Sequence, residues 1–482
     1  MKLPLFNSTY RGFTKRDTLG LQSLSSSIQA KICPIVNVVT PHPFYWAFLI
    51  WNYYHFYSLQ ENKEVSDIVF NKDFVKRNDF FFVLSNHLGN GDTKGIVGRD
   101  NVAARFPDKN ADGVFNYDET YYSSHFGGMQ YYNYGCYALG FVKENKNKIN
   151  INDDSSGAKL TRAFDSAIKN TSIYKKYISQ NKRMDGVCRD DLLELSRCLT
   201  LNMKSMDEVK DLLYYAMFQS KTQSNLPTRL SSAEEYIRLL ISNGLLNKND
   251  SFDKAFARKL LYGDSRPKLF DVAKTTEYEK IIATRWELVI ANQYYVACME
   301  MVWKYLLSVL TIPCSQDEWI EKAISNSDKI DLLSPLPLNN SELTFDELES
   351  NISSRTNNTG AINSMIAVLM SIYRRFDSRL SDFNYLDGLE KNEDRVFSLI
   401  IKIHNGEFKT VGDFVNYILK NQIIDRHERV AKEKRYQGRD GFLFEKYDNL
   451  YTSRGSEYTI DVALPPLRIT NVFSVLKDLG KI

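Results

Sequence analysis

Apolar positions recur at three- and four-residue spacing through most of this chain, the period of helices that bury one face. RDTLGLQSLSSSIQAKI follows that period, with Asp17 placed to cap it. Pro41 and Pro43 open the aromatic stretch PFYWAFLIWNYYHFY, as proline does in a first helical turn. NKDFVKRNDFFFVLSNHLG predicts an amphipathic helix closed by Gly89, and GGMQYYNYGCYALGFV a glycine-led entry into a packed helix. SMDEVKDLLYYAMF, LSSAEEYIRLLISNG and SFDKAFARKLLYG each carry a serine cap and first-turn acids.

A longer element follows. The segment 276–311 runs unbroken in helical period, with Thr276 and Glu279 forming a capping box and Pro313 just past its end. At 1.5 Å per residue it spans roughly 50 Å and forms the spine of a central domain. Two further helical stretches precede the C-terminus, where the pattern changes. GFLFEKYDNLYTSRGSEYTIDV alternates like short strands turning at Asp448-Asn449 and Arg454-Gly455. RITNVFSVLKDLG then predicts a last helix.

The polar run KENKNKININDDSSG, residues 143–157, reads as a linker. The expected architecture is mainly α and multi-domain. An aromatic-rich helical domain occupies 1–142, a central helical domain 158–405, and a small α+β, winged-helix-like module 406–482. A length of 482 residues suits two or three domains.

Composition narrows the classes. Lys and Arg total 62 against 59 Asp and Glu, so nucleic acid meets no global basic field and any contact needs a local patch. The six cysteines lack CxxC spacing, which suggests reduced, buried thiols and a cytoplasmic protein. The start MKLPLFNSTYRGF has no apolar signal core. The apolar stretches 43–57 and 294–312 read as buried core helices, and no membrane partner is expected.

DKNADGVFNYDE, residues 108–119, has the spacing of a helix–loop–helix calcium loop. Such a loop takes side-chain oxygens at its first, third and fifth positions: Asp108, Asn110 and Asp112. Gly113 makes the sharp turn, Val114 offers its carbonyl, Asn116 holds the water-bridged position, and Glu119 binds through both oxygens. Calcium is the one cofactor this suggests. Pro107 stands where the entering helix should still run, and Phe115 takes the place of a small β-branched residue. A polar turn-forming loop is the alternative.

Arg426, Arg429, Lys432, Lys434, Arg435 and Arg439 make a basic helix end ahead of the C-terminal strands, a candidate surface for DNA or RNA phosphate. Asp425, Glu428 and Glu433 interleave with them, as on a solvated face of i,i+4 ion pairs. Arg374, Arg375 and Arg379, and Arg11, Lys15 and Arg16, are similar clusters. The glycine-rich stretch 85–101 brings Lys94 and Arg99 near free backbone N–H groups but lacks phosphate-loop spacing. His42, His55, His87, His125, His404 and His427 show no metal-ligand spacing, and no nucleophile elbow occurs.

The opening RDTLGLQSLSSSIQAKICPIVNVVTPHPFYWAFLIWNYYHFY resembles the start of large bacterial proteins that accompany mobile elements and phage-defence islands. GIVGRDN, GGMQYY and NVFSVLKDLGKI share the likeness in scattered pieces, and no catalytic residue carries over. The resemblance implies an accessory or scaffold subunit of a defence complex, bound to a protein encoded nearby and in contact with nucleic acid. Two alternatives stand beside it: a metal-dependent hydrolase or nuclease with carboxylates from distant segments, and a calcium-stabilised structural protein.

Overall fold

The computed structural model describes residues 17–61, 74–89, 95–108, 110, 112–120, 127–142, 153–180, 182, 184–220, 226–263, 276–353, 359–386, 395–455, 460, 462 and 464–482. Arg11, Lys15, Arg16, Lys94, His125 and most of the expected linker lie outside them. The chain is mainly helical. Among the described residues the strands form two small antiparallel sheets: β1 (Val114–Phe115) with β2 (Val187–Cys188), and β3 (Phe444–Tyr447) with β4 (Leu450–Ser453).

Contacts gather the chain into two discontinuous units. The first holds Met1–Lys31 and Asp253–Pro466, the second Ile32–Phe252 and Leu467–Ile482. These divisions differ from three consecutive blocks. The stretch 406–482 is shared out, its hairpin falling in the first unit and the final helix Arg468–Asp478 in the second. There Phe473 meets Phe252 edge-on at 5.3 Å, and Asp478 accepts from the His42 ring at 2.8 Å. The end of the polar run 143–157 is also structured. Ser155 caps the helix Ser156–Ile168, accepting from the Ala158 N–H.

The second unit is built on the aromatic helix Phe44–Glu61. Phe44 stacks on Phe82 at 4.7 Å, and Phe48 on Trp51 at 5.6 Å. The helix Lys76–Leu88 departs from the amphipathic expectation, because it is buried on every face. Even Arg77 is only 9% exposed, its guanidinium donating to the Met184 carbonyl at 3.1 Å. Its polar groups meet protein partners: Asn78 donates to the Asn52 side chain at 2.6 Å, and Asp79 accepts from the Gly128 N–H at 3.0 Å.

The first unit is organised by the helix Glu277–Val309, 33 residues long and opened by the Thr276–Glu279 capping box. Tyr294, Tyr295, Trp303 and Leu306 along it are buried, as its apolar pattern requires. Buried Glu287 is held by Arg379 at 3.2 Å and Arg375 at 3.6 Å, which turns the Arg374–Arg379 cluster partly inward. Three helical pieces then run end to end: Val411–Tyr417, a π-helical stretch Ile418–Ile424, and Asp425–Tyr436. Within the π stretch, Gln422 accepts from Tyr295 and donates to Tyr417, each at 2.9 Å. No helix among the described residues is long and apolar enough to cross a membrane.

Candidate functional site

Charged groups converge where the helix Asp425–Tyr436 meets the β3–β4 hairpin. Asp448 and Asn449 sit between the strands at φ of 45° and 67°, the left-handed pair that a tight two-residue hairpin turn demands. That turn sets the register: Lys446 lies opposite Tyr451, and Tyr447 opposite Leu450. One hairpin face buries Phe444 and Tyr451 against Trp303 and Trp319. The other leaves Tyr447 44% and Leu450 46% exposed, and Tyr436 on the helix is 94% exposed.

Glu428 reaches the hairpin from the helix. Its carboxylate accepts from Tyr451 at 2.6 Å and from Lys446 at 2.8 Å, and Lys446 also donates to the Tyr451 hydroxyl at 2.7 Å. Burial works against the Glu428 charge, but the bonds from Lys446 and Tyr451 outweigh it and hold the carboxyl below its ordinary range. Burial, then the bond to Glu428, pushes the Tyr451 phenol up to about 12. A second carboxylate repeats the pattern. Asp440 accepts from Arg454 at 2.7 Å and lies 3.7 Å from Arg435, whose guanidinium lies over the Phe442 ring at 4.5 Å. Between the two clusters opens a cleft of about 450 Å³.

The inner face of the same helix holds the segment ahead of the first helix, Leu21–Ile32. Three consecutive carbonyls each receive one side chain. Lys434 donates to Asp17 at 2.7 Å, His427 to Thr18 at 3.0 Å, and Arg426 to Leu19 at 2.5 Å. The other ring nitrogen of His427 accepts the Leu443 N–H at 3.2 Å, so the ring is neutral with its proton on Nδ1. Burial pushes its pKa down to about 4. The Asp17 carboxylate accepts from the Gln22 and Ser23 N–H groups, each at 2.9 Å, and caps the helix as expected.

The six cations expected at a phosphate surface are therefore divided. Arg426 is 3% exposed and serves Leu19, which corrects its expected place at the surface, and Lys434 is half-buried on Asp17. Arg435 lies against Phe442, while Arg429, Lys432 and Arg439 are exposed. Ordinary helical period explains the division: Arg426, His427 and Lys434, seven and eight residues apart, share the face turned to the Asp17–Leu19 carbonyls, and Arg429 and Lys432 lie off it.

The calcium-pattern loop lies in the second unit. Gly113 has φ of 139°, and the Asp108 carboxylate accepts from the Asn110 N–H at 2.9 Å. Val114 pairs with Cys188, and Phe115 with Val187. Phe115 is buried against Phe106 at 5.8 Å, which accounts for the apolar residue at that position. Asp112 is 93% exposed at 3.9 Å from Arg189, and Asn116 and Glu119 are exposed. Residues 116–120 are not helical, so the expected helix–loop–helix frame lacks its exit there. Among the described residues no three His, Cys, Asp or Glu side chains are placed together to hold a metal ion.

The remaining candidates serve packing. His55 and Trp51 meet Asp165 at 2.9 and 2.8 Å, and His87 meets the Phe106 carbonyl at 2.8 Å. Arg99 pairs with adjacent Asp100 at 3.1 Å. The six cysteines are free thiols, and burial pushes Cys33 up to about 12. Sequence reasoning missed Lys446, Tyr451, Asp440 and Arg454. The alternation of β3 and β4 was the available signal for Lys446 and Tyr451, since opposite strand positions share a face, whereas Asp440 and Arg454 lie outside the strands. No family model matches this chain, nor does any curated protein or solved structure.

Proposed function

We propose that the chain is an accessory subunit of a bacterial defence or mobile-element complex, and that it binds a protein partner through the helix-and-hairpin region of its first unit. The observation that carries this reading is the outer hairpin face. Tyr447 and Leu450 stand directly opposite one another there and remain 44% and 46% exposed. Side-by-side exposed aromatic and aliphatic groups favour a desolvated contact with another protein. The likeness of the opening and closing segments to defence-island proteins supports the setting. Nucleic acid is a secondary contact in this reading, through Arg429, Lys432 and Arg439. With three outer cations, the logarithmic salt slope of binding is about −3 at most.

Affinity purification from the organism that encodes the chain, with nuclease treatment, tests the proposal. The wild type retains a protein partner in stoichiometric amount, and the Tyr447→Ser, Leu450→Ser double variant loses it. Recovery of the wild-type chain alone, or equal recovery of the partner by the variant, overturns it.

A further inference from the structure

We infer that the outer edge of β3 takes an extended segment of a partner protein as an added antiparallel strand, with a basic residue of that segment set against Glu445. This rests on the partner-binding reading above for the nature of the partner, and it gives the contact its form.

The hairpin's own ladder shows which backbone groups are open. Where two residues close a hairpin, the flanking pair, here Tyr447 and Leu450, exchanges hydrogen bonds and the next pair does not. Alternate residues therefore turn their N–H and C=O away from the ladder. On β4 that residue is Tyr451, and both of its groups are taken. Cys314 donates to the Tyr451 carbonyl at 3.1 Å and accepts from its N–H at 2.7 Å. On β3 the same alternation turns Phe444 and Lys446 outward. Among the described residues, no backbone group pairs with them on that side.

The edge is also accessible, since Glu445, Lys446 and Tyr447 are all exposed. A lysine on an edge strand commonly keeps other chains away. Here the Lys446 ammonium is drawn back onto Glu428 at 2.8 Å and the Tyr451 hydroxyl at 2.7 Å, which leaves its backbone uncovered. The cleft of about 450 Å³ follows this edge, because it touches both Glu445 and Lys446, neighbours whose side chains leave a strand on opposite faces. Main-chain bonds to such an edge supply affinity, and alternate side chains supply selectivity.

Charge selects the occupant. Among the described residues no cation pairs with Glu445, which takes only the Tyr447 hydroxyl at 3.4 Å. Glu445 and Tyr447 share the outer face, so an added strand sets one residue opposite each of them, two positions apart. A lysine or arginine suits Glu445, and a β-branched or aromatic residue suits Tyr447. The residue between them lies beside Lys446 and is best uncharged. A second copy of this chain does not fit. Pairing β3 with itself about a twofold axis sets Glu445 opposite Glu445 in one register and Lys446 opposite Lys446 in another, and like charges directly opposite destabilise a sheet. A third register, centred on Phe444, runs into Phe442, whose N–H and C=O already meet Asp440 and Arg454.

The test titrates the full chain with an acetylated, amidated peptide, Thr-Val-Thr-Lys-Val-Thr, by calorimetry and ligand-observed NMR. Its first Val lies opposite Tyr447, its Lys opposite Glu445, and it binds with a Kd of about 1 mM or tighter. Methylating the amide nitrogens of the second Thr and second Val, the residues opposite Lys446 and Phe444, weakens binding about tenfold or more, because two hydrogen bonds are lost. Methylating the first Val and the Lys, whose N–H groups face away from the edge, leaves affinity unchanged. Glu445→Lys weakens this peptide and favours one with Glu in place of Lys. Equal loss on either methylation, or no binding at about 10 mM, overturns the added strand. A dimer of the chain that Lys446→Pro dissolves also overturns it, by giving the edge to a second copy. The methylated peptides act on the wild-type chain, so the result does not depend on how any variant folds. A partner captured in the purification above with the peptides inert strikes the added strand alone. Peptides that discriminate as described while the chain purifies without a partner strike the accessory-subunit reading alone.

Discussion

His427 donates from Nδ1 to the carbonyl of Thr18, 409 positions earlier in the chain, at 3.0 Å. The ring is buried completely, and its second nitrogen accepts from Leu443. Only the neutral form satisfies both partners. Its folded pKa of about 4 lies below the ordinary 6.5, so the unfolded chain binds the extra proton between those values. The stabilisation is therefore fully present above pH 6.5 and is lost as pH falls towards 4, a difference on the order of 3 kcal/mol. Urea unfolding at a series of pH values should show this slope. His427→Leu should remove it and cost about 2–4 kcal/mol at neutral pH, since the Thr18 carbonyl and Leu443 N–H lose their partner. A variant keeping the wild-type slope would place the titration elsewhere.

Glu428 ties the helix to the hairpin through Lys446 and Tyr451. Its lowered pKa means that this stabilisation is present above the ordinary value of 4.5 and is lost as pH falls below it. Glu428→Ala leaves Lys446 and the Tyr451 hydroxyl without their common acceptor. We expect a loss of about 1–3 kcal/mol, read as faster amide exchange in β3 and β4. Exchange unchanged in the hairpin would mean that the aromatic cluster alone holds it.

Gly157 marks a close approach in the second unit. A Cβ there would stand 2.2 Å from the Phe141 carbonyl oxygen and 2.5 Å from the Tyr54 hydroxyl. Backbone cannot yield as a side-chain tip can, so Gly157→Ala should destabilise by about 1–3 kcal/mol despite its better helix propensity. Thermal melts decide it, and an unchanged or raised midpoint contradicts the packing described.

The 108–119 loop makes a prediction opposite in sense to its sequence pattern. Asp112 and Glu119 point into solvent, and the exit side is not helical over 116–120. Melts in millimolar calcium and in chelator should superimpose. Binding at a hundredfold excess over Kd would add about 2.7 kcal/mol, so a clear upward shift in calcium means that the loop rearranges around the ion.

Local chemistry was legible without the fold. The Thr276–Glu279 capping box, the long helix behind it and the Asp17 cap each act within a few residues of chain. The Asp448-Asn449 turn is equally local. The buried aromatic helix was legible too, because water rejects so much apolar surface whatever surrounds it. What tertiary structure decided was which partner each polar group meets. Asp108, Asn110 and Asp112 have ligand spacing, but the frame around the loop sets where their oxygens point. Arg426 and Lys434 look like surface cations until folding brings the Asp17–Leu19 carbonyls against their face of the helix. Lys446, Arg454 and the two carboxylates between helix and hairpin become one cleft only through strand register. Caps and turns are governed by neighbours in sequence, whereas a charge takes its meaning from whatever folding brings within about 4 Å of it.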